Sequence, residues 1–224
     1  KFKIINHINH KSKQNLKTKE MEKNRKFYYF TFESTKNPYL TMYTTVDRDS
    51  VSYDRIKKDY YEAKFNSEFT QMLYDVVKNS ELKLKIVGYA DYDFSKRNEY
   101  ISYNRILNEY DGKITYRVFI SLFKDIDSNN MEEVLSKTYE LFKYVKNRKY
   151  ERIVFEVKFY KESEYDLNRI SKYDMQYILD LEDDDALVVE NLNEFKTFFR
   201  PIDGKLQIAN VHKKSPIMEA IQEV

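Results

Sequence analysis

The chain has 224 residues, with 39 Lys and Arg against 37 Asp and Glu, a formal charge of +2 that is neither the strong positive field of a dedicated nucleic-acid binder nor an acidic tail. It contains no Cys and no Trp, and only 3 Gly, 3 Pro and 3 His beside 21 Tyr and 15 Phe. Thiol catalysis, disulfides and cysteine metal sites are thereby excluded, and a glycine-rich phosphate loop or a histidine cluster has too few residues to be built from.

Taken in chain order, Lys1 to Lys26 carries scattered Lys, Arg, Asn and Gln and no continuous apolar stretch of the kind a secretory signal needs, so it reads as a basic N-terminal arm. Met21-Glu22-Lys23-Asn24 would make a natural start, so residues 1–20 are read as an upstream extension, a processed arm or residues foreign to the native chain. Phe27 to Phe32 and Leu40 to Val46 are rich in aromatic and β-branched residues and flank the turn-forming cluster Ser34-Thr35-Lys36-Asn37-Pro38, the pattern of an N-terminal hairpin. From Tyr53 to Val77 the spacing becomes helical through Ile56, Tyr60 and Ala63, then Phe69, Met72, Leu73, Val76 and Val77, with Asn66 or Ser67 placed to cap a second piece. One broken helix or two is expected there.

Leu82, Leu84, Ile86 and Gly88 alternate with lysines, and Ile114, Tyr116, Val118, Ile120 and Leu122 alternate with polar residues after the hairpin signal Asp111-Gly112. Residues 82–123 are therefore read as a three-stranded antiparallel meander, with a short helix over 98–110 as the alternative for its middle element. Met131 to Val145 is amphipathic with Lys143, Lys146 and Arg148 near its end, where cations favour a helix terminus. Ile153, Phe155, Val157 and Phe159 alternate as a strand, and Leu167 to Leu181 resumes helical spacing. Asp203-Gly204 suggests a last hairpin between Phe195 to Ile202 and Lys205 to Val211, with Pro201 confining its strand to an edge, and the chain ends in a tail or a short helix. These elements predict a single α+β domain over residues 27–211, mainly antiparallel sheet backed by three or four helices, between the arm 1–26 and the tail 212–224. No apolar run approaches the roughly 18 to 20 residues of a membrane helix.

Glu156-Val157-Lys158 on the strand Tyr150 to Phe159 resembles the Glu-x-Lys half of the PD-(D/E)xK nuclease superfamily. The resemblance implies that the carboxylate holds a divalent metal while the lysine, on the same strand face, orients or activates the attacking water. That family also has an Asp on the preceding strand of a hairpin; here a helix intervenes and leaves Asp125 and Asp127 at a distance in sequence. Asp91, Asp93 and Ser95 imitate the start of a calcium loop, but Lys96 and Ser102 stand where such a loop has its Gly and its bidentate Glu. Gly88 to Asp91, Asn98, Ile101-Ser102 and Arg105 are similar to the central segment of the OmpA-like peptidoglycan-binding domain, and that resemblance implies a ligand pair at Asp91 and Arg105 and a helix at 98–110. The acidic run Asp180, Glu182, Asp183, Asp184 and Asp185 makes Asp183, Asp184 and Asp185 candidate metal ligands, and the basic arm is a candidate nucleic-acid contact. His7, His10 and His212 form no evident set, and no serine sits in a glycine-flanked elbow.

With no cofactor motif and an enzymatic reading that rests on carboxylates alone, the sequence is read as a non-catalytic protein-binding or assembly protein. Its abundance of Lys, Asn, Ile, Tyr and Phe matches AT-rich codons and points to a low-GC bacterium, phage or virus, acting in the cytoplasm, the virion or the infected cell. Its partner is expected to be a protein, reached through strand edges and exposed tyrosines. A metal-dependent nuclease-like or other nucleic-acid-processing protein using Glu156 and Lys158, and a wall-binding module, are the alternatives.

Overall fold

Asn24 makes the first turn of the chain's first sheet. Its side-chain oxygen accepts the backbone N–H groups of Lys26 at 2.9 Å and Phe27 at 2.7 Å, a local arrangement that reverses the chain between two strands. Those strands are β1 (Leu16–Lys23) and β2 (Phe27–Ser34), and β3 (Thr41–Asp47) completes an antiparallel sheet in the order β1-β2-β3. The expected hairpin is thus β2 and β3, with Ser34 Oγ accepting the amides of Lys36 and Asn37 in the turn between them. Part of the segment expected to be an arm is a third strand, because Leu16 is buried in the sheet's core and Thr18 faces Phe32 in register. The computed structural model describes residues 6, 9, 16–94, 99–109, 114–124, 128–148, 150–165, 175–182, 189–198 and 200–202.

The chain divides into two compact units, Lys1–Met72 with Ala90–Tyr110, and Leu73–Tyr89 with Asp111–Val224. In the first, alternate residues of the meander, Phe30, Phe32, Met42 and Val46, form a core with Ile56 and Tyr60 of α1 (Tyr53–Val77). Helix α1 is continuous over 25 residues, not broken at Asn66 or Ser67. Those side chains are engaged elsewhere: Ser67 donates back to the Lys64 carbonyl at 2.7 Å, and Asn66 Oδ1 accepts the Ala90 amide at 2.9 Å. Ser52 caps the true start, its carbonyl accepting the Ile56 amide at 3.2 Å. A chain of rings fills the rest of this unit. Phe65 meets Tyr103 at 5.1 Å and Phe94 at 5.4 Å, and Phe94 in turn meets Tyr92 at 4.9 Å, distances at which aromatic pairs add to plain burial.

The second unit is built on a five-stranded sheet in the order β4-β5-β6-β7-β8, from β4 (Leu84–Asp91), β5 (Ile114–Phe123), β6 (Tyr150–Tyr160), β7 (Met175–Glu182) and β8 (Arg200–Ile202). Strands β5 and β6 are parallel and joined through α3 (Ser128–Lys146), whose Val134, Leu141, Phe142 and Val145 are buried. Phe142 meets Phe155 of β6 edge-on at 6.2 Å. The inward residues of the two central strands, Tyr116, Val118, Ile120 and Leu122 with Ile153, Phe155, Val157 and Phe159, are all buried, each large ring or branched chain contributing about 1.5 to 3 kcal/mol.

The class is α+β, with antiparallel pairing at β1-β2, β2-β3, β6-β7 and β7-β8 and four helices among the described residues. Three local expectations change. The middle of the expected central meander is a helix, α2 (Tyr103–Glu109), whose Tyr103 and Ile106, one turn apart, are both buried, Tyr103 against the rings of Phe65 and Phe69. Met175–Glu182 is a strand and not the end of a helix, since the antiparallel ladder with β6 runs from Phe159 opposite Met175 to Arg152 opposite Glu182. Phe195 belongs to α4 (Leu192–Phe198), not to a strand. Asn191 and Glu194 cap α4 reciprocally, Asn191 Oδ1 accepting the Glu194 amide at 3.1 Å and Glu194 Oε2 accepting the Asn191 amide at 3.2 Å. Strand β8, which contains Pro201, is at the sheet edge as a proline requires. The second strand expected at 205–211 and the tail lie outside the described residues.

Candidate functional site

Glu156 and Lys158 stand on the face of β6 opposite its core residues, and they pair with each other, Lys158 Nζ to Glu156 Oε1 at 2.7 Å. In register Glu156 lies between Phe119 of β5 and Ile178 of β7, and Lys158 between Ser121 and Gln176, so no carboxylate stands directly opposite either. Beside them Arg152 forks onto Asp180, Nε to Oδ1 at 2.7 Å and Nη2 to Oδ2. Two ion pairs, Glu156 with Lys158 and Arg152 with Asp180, thus stand on this face, and among the described residues no group of three His, Asp or Glu side chains is placed to hold a metal. Asp125, Asp127, Asp183, Asp184 and Asp185 lie outside the described residues, as do His7, His10 and His212.

Asp91 ends β4 and is exposed, while Arg105 on α2 donates through Nε to Glu109 Oε2 at 2.8 Å, one helical turn along. Of the helix over 98–110 that the wall-binding resemblance implies, Tyr103–Glu109 is helical and residues 99–102 are not, and the guanidinium is drawn to its own helix. Asp91 instead belongs to a group of carboxylates with Asp59 and Glu62, three residues apart on one face of α1. Desolvation first, and then Asp59 and Asp91, push the Glu62 carboxyl above its ordinary value. Desolvation also raises Asp59, against the hydrogen bond it accepts from the Thr44 hydroxyl at 2.5 Å. Asp93, the second acid of the calcium-like loop, is exposed, and the loop's Tyr92 and Phe94 are spent on the aromatic chain.

The outer face of the β1–β3 meander carries two exposed aromatic side chains, Tyr29 and Tyr43. Because side chains alternate along a strand, Tyr29 and Tyr43 point away from the core that Phe30 and Met42 enter. They are 40 % and 43 % exposed, large values for side chains of this size on a sheet whose other face is packed. Register places Tyr29 beside Thr45 and Tyr43 beside Thr31, so the two rings lie diagonally across neighbouring strands. Tyr29 is steadied by Phe27, edge-on at 6.5 Å, and by Asn24 Nδ2, which donates to its hydroxyl at 2.9 Å. Around Tyr43, partial burial raises the hydroxyl's pKa, Lys19 opposes the rise, and Glu33 and Glu20 reinforce it. Lys19 pairs with Glu33 at 2.9 Å. The abundance of tyrosine was visible in the sequence; that Tyr29 and Tyr43 share this face was not, because it depends on which strand pairs with which.

No family model and no curated protein matches the chain. Among solved structures it is similar to the crystal structure of a DUF5037 family protein from Ruminococcus gnavus ATCC 29149, at 12% identity and a TM-score of 0.56, over 88% of this chain and 97% of that one. The likeness is one of fold.

Proposed function

We propose that this is a non-catalytic protein-binding or assembly protein whose contact surface is the outer face of the β1–β3 meander. The observation that carries the reading is the pair of exposed rings, Tyr29 and Tyr43, held on a rigid sheet and bordered by acidic and basic side chains. Tyrosine gives a large contact area for little loss of side-chain freedom, and a polar rim around an aromatic centre is the usual anatomy of a recognition patch. The acid and base side chains at Glu156, Lys158, Arg152 and Asp180 are satisfied by one another, which favours a structural part for them over a catalytic one. The partner is a protein, met in the cytoplasm of an AT-rich bacterium or in the virion or cytoplasm of an infection. Among the described residues no helix is long and apolar enough to cross a membrane.

The test is capture from host or infected-cell lysate with tagged protein, after nuclease treatment, using the parent chain and the double variant Tyr29→Ala/Tyr43→Ala. A protein retained by the parent and lost by the variant is the expected result. Retention by both, or recovery that disappears with the nucleic acid, overturns the reading.

A further inference from the structure

Strand β1 is an edge strand, and beyond Leu16 every residue of it except Thr18 is exposed. Its outer-side charges are ordered, Lys17, Lys19, then Glu20, Glu22, with the sign reversing at the middle, while Lys23, opposite Tyr28, ends the strand on the inner side. We infer that β1 pairs antiparallel with β1 of a second copy of this chain, about a two-fold axis passing between Lys19 and Glu20. The inference concerns self-association and does not depend on what the tyrosine face binds.

In that register Lys17 stands opposite the second copy's Glu22, Lys19 opposite its Glu20, and Thr18 opposite its Met21, each pair occurring twice by symmetry. Opposite charges directly across an antiparallel ladder are favourable and like charges unfavourable, so the order of signs selects this pairing. A two-fold axis normal to a sheet keeps outer residues outer, and in a regular strand it would match residues of even separation only. Strand β1 is not regular. Its register against β2 jumps between Thr18 and Glu20, leaving Lys19 as an extra residue. Lys19 reaches Glu33 and Glu20 lies opposite Thr31, so both are on the outer side together with Lys17 and Glu22. Thr18 and Met21, opposite Phe32 and Phe30, are on the inner side. The bulge therefore brings outer onto outer and inner onto inner in the one register where the charges also match.

The backbone agrees. Leu16 turns its N–H and C=O away from β2, where they meet the Asn9 side chain at 2.7 Å and 3.1 Å. Alternation along the strand, carried through the bulge, turns the same groups of Thr18 and Met21 toward the open edge. These are the residues that face each other in the proposed pair, where each exchanges both backbone hydrogen bonds with its counterpart. Asn9 closes the edge at Leu16 and so ends the ladder there.

A contact made by one strand is small, so association is expected in the range of about 10 µM to 1 mM. Sedimentation velocity on the full chain should show a monomer–dimer equilibrium. Lys17→Glu/Lys19→Glu and Glu20→Lys/Glu22→Lys each make the four outer-side charges of one sign, and each alone should associate about tenfold or more weakly. An equimolar mixture of the two should recover a dimer containing one of each. Thr18→Pro removes a donor facing the open edge and leaves the β1–β2 ladder intact, so it should abolish the dimer while circular dichroism stays unchanged. A parent chain that stays monomeric at about 1 mM, variants that associate as well as the parent, or a mixture that does not associate would each overturn the proposal.

Discussion

Asp59 and Glu62 are both pushed above their ordinary values of 3.8 and 4.5, in each case by desolvation first. A carboxyl that binds its proton more tightly in the folded than in the unfolded chain opposes folding while it is ionised. That opposition is complete above the raised folded value, shrinks as pH falls through it, and is gone below the unfolded value. The contribution of this pair to stability therefore increases from neutral pH down toward about pH 4. Asp59→Asn keeps an oxygen for the Thr44 hydroxyl and removes the charge, and Glu62→Gln relieves the repulsion from Asp59 and Asp91. Both variants should melt higher than the parent at pH 7, and the advantage should shrink as the pH is lowered toward the carboxylate range. Melting curves at pH 7 and pH 4.5 check this; an advantage that stays constant with pH would show that the carboxyls titrate normally. At this scale the sequence was only partly legible. Asn24, Asn66 and Asn191 look alike in a list of residues, yet one builds a turn, one accepts an amide from β4 and one caps α4. Which of these an asparagine does depends on the backbone brought to it.

Helix α2 shows how a short element depends on a neighbour. It has seven residues, too few to be stable through its own hydrogen bonds. Its first amide, that of Tyr103, donates to Glu68 Oε2 of α1 at 2.8 Å, and the carboxylate also complements the positive end of the helix. Ser102 supplies the ordinary cap, its carbonyl accepting the Ile106 amide at 3.0 Å. Glu68→Ala should therefore destabilise the fold by about 1 kcal/mol, and Glu68→Gln, which keeps an acceptor without the charge, by less. Hydrogen exchange at Tyr103 to Ile106 should accelerate in the alanine variant before the rest of the chain does; uniform acceleration would mean that α2 is held by its rings alone. The same dependence explains which elements could be read in advance. Helix α3 and strand β6 have long periodic patterns, and both are where periodicity put them. Helix α2 and strand β7 are short and bounded by few turn residues, and their form follows from a carboxylate on α1 and a ladder on β6, neither of which local spacing can show.

On the scale of the molecule, α+β architecture followed from alternation between strand and helix periods, whereas the parallel β5–β6 pair did not follow from local turn signals. It was implicit in the order strand, long amphipathic helix, strand, which favours a crossover over a hairpin. The near balance of 39 basic and 37 acidic side chains has a consequence of its own. With so small a net charge, self-repulsion contributes little to folding, and exposed pairs such as Lys83 with Glu162 at 3.0 Å contribute at most about 1 kcal/mol each. Salt should accordingly leave the unfolding of the isolated chain nearly unchanged. The proposed β1 contact is different, because it aligns Lys17 and Lys19 against Glu22 and Glu20 in a single row. Raising ionic strength from about 0.1 M to about 1 M shortens the screening length from about 10 Å to about 3 Å, which should weaken the dimer several-fold. Sedimentation of the parent and melting of the monomeric Thr18→Pro variant, both across that range of sodium chloride, separate the two effects. A dimer whose dissociation constant is indifferent to salt would place the contact on an apolar surface and away from β1.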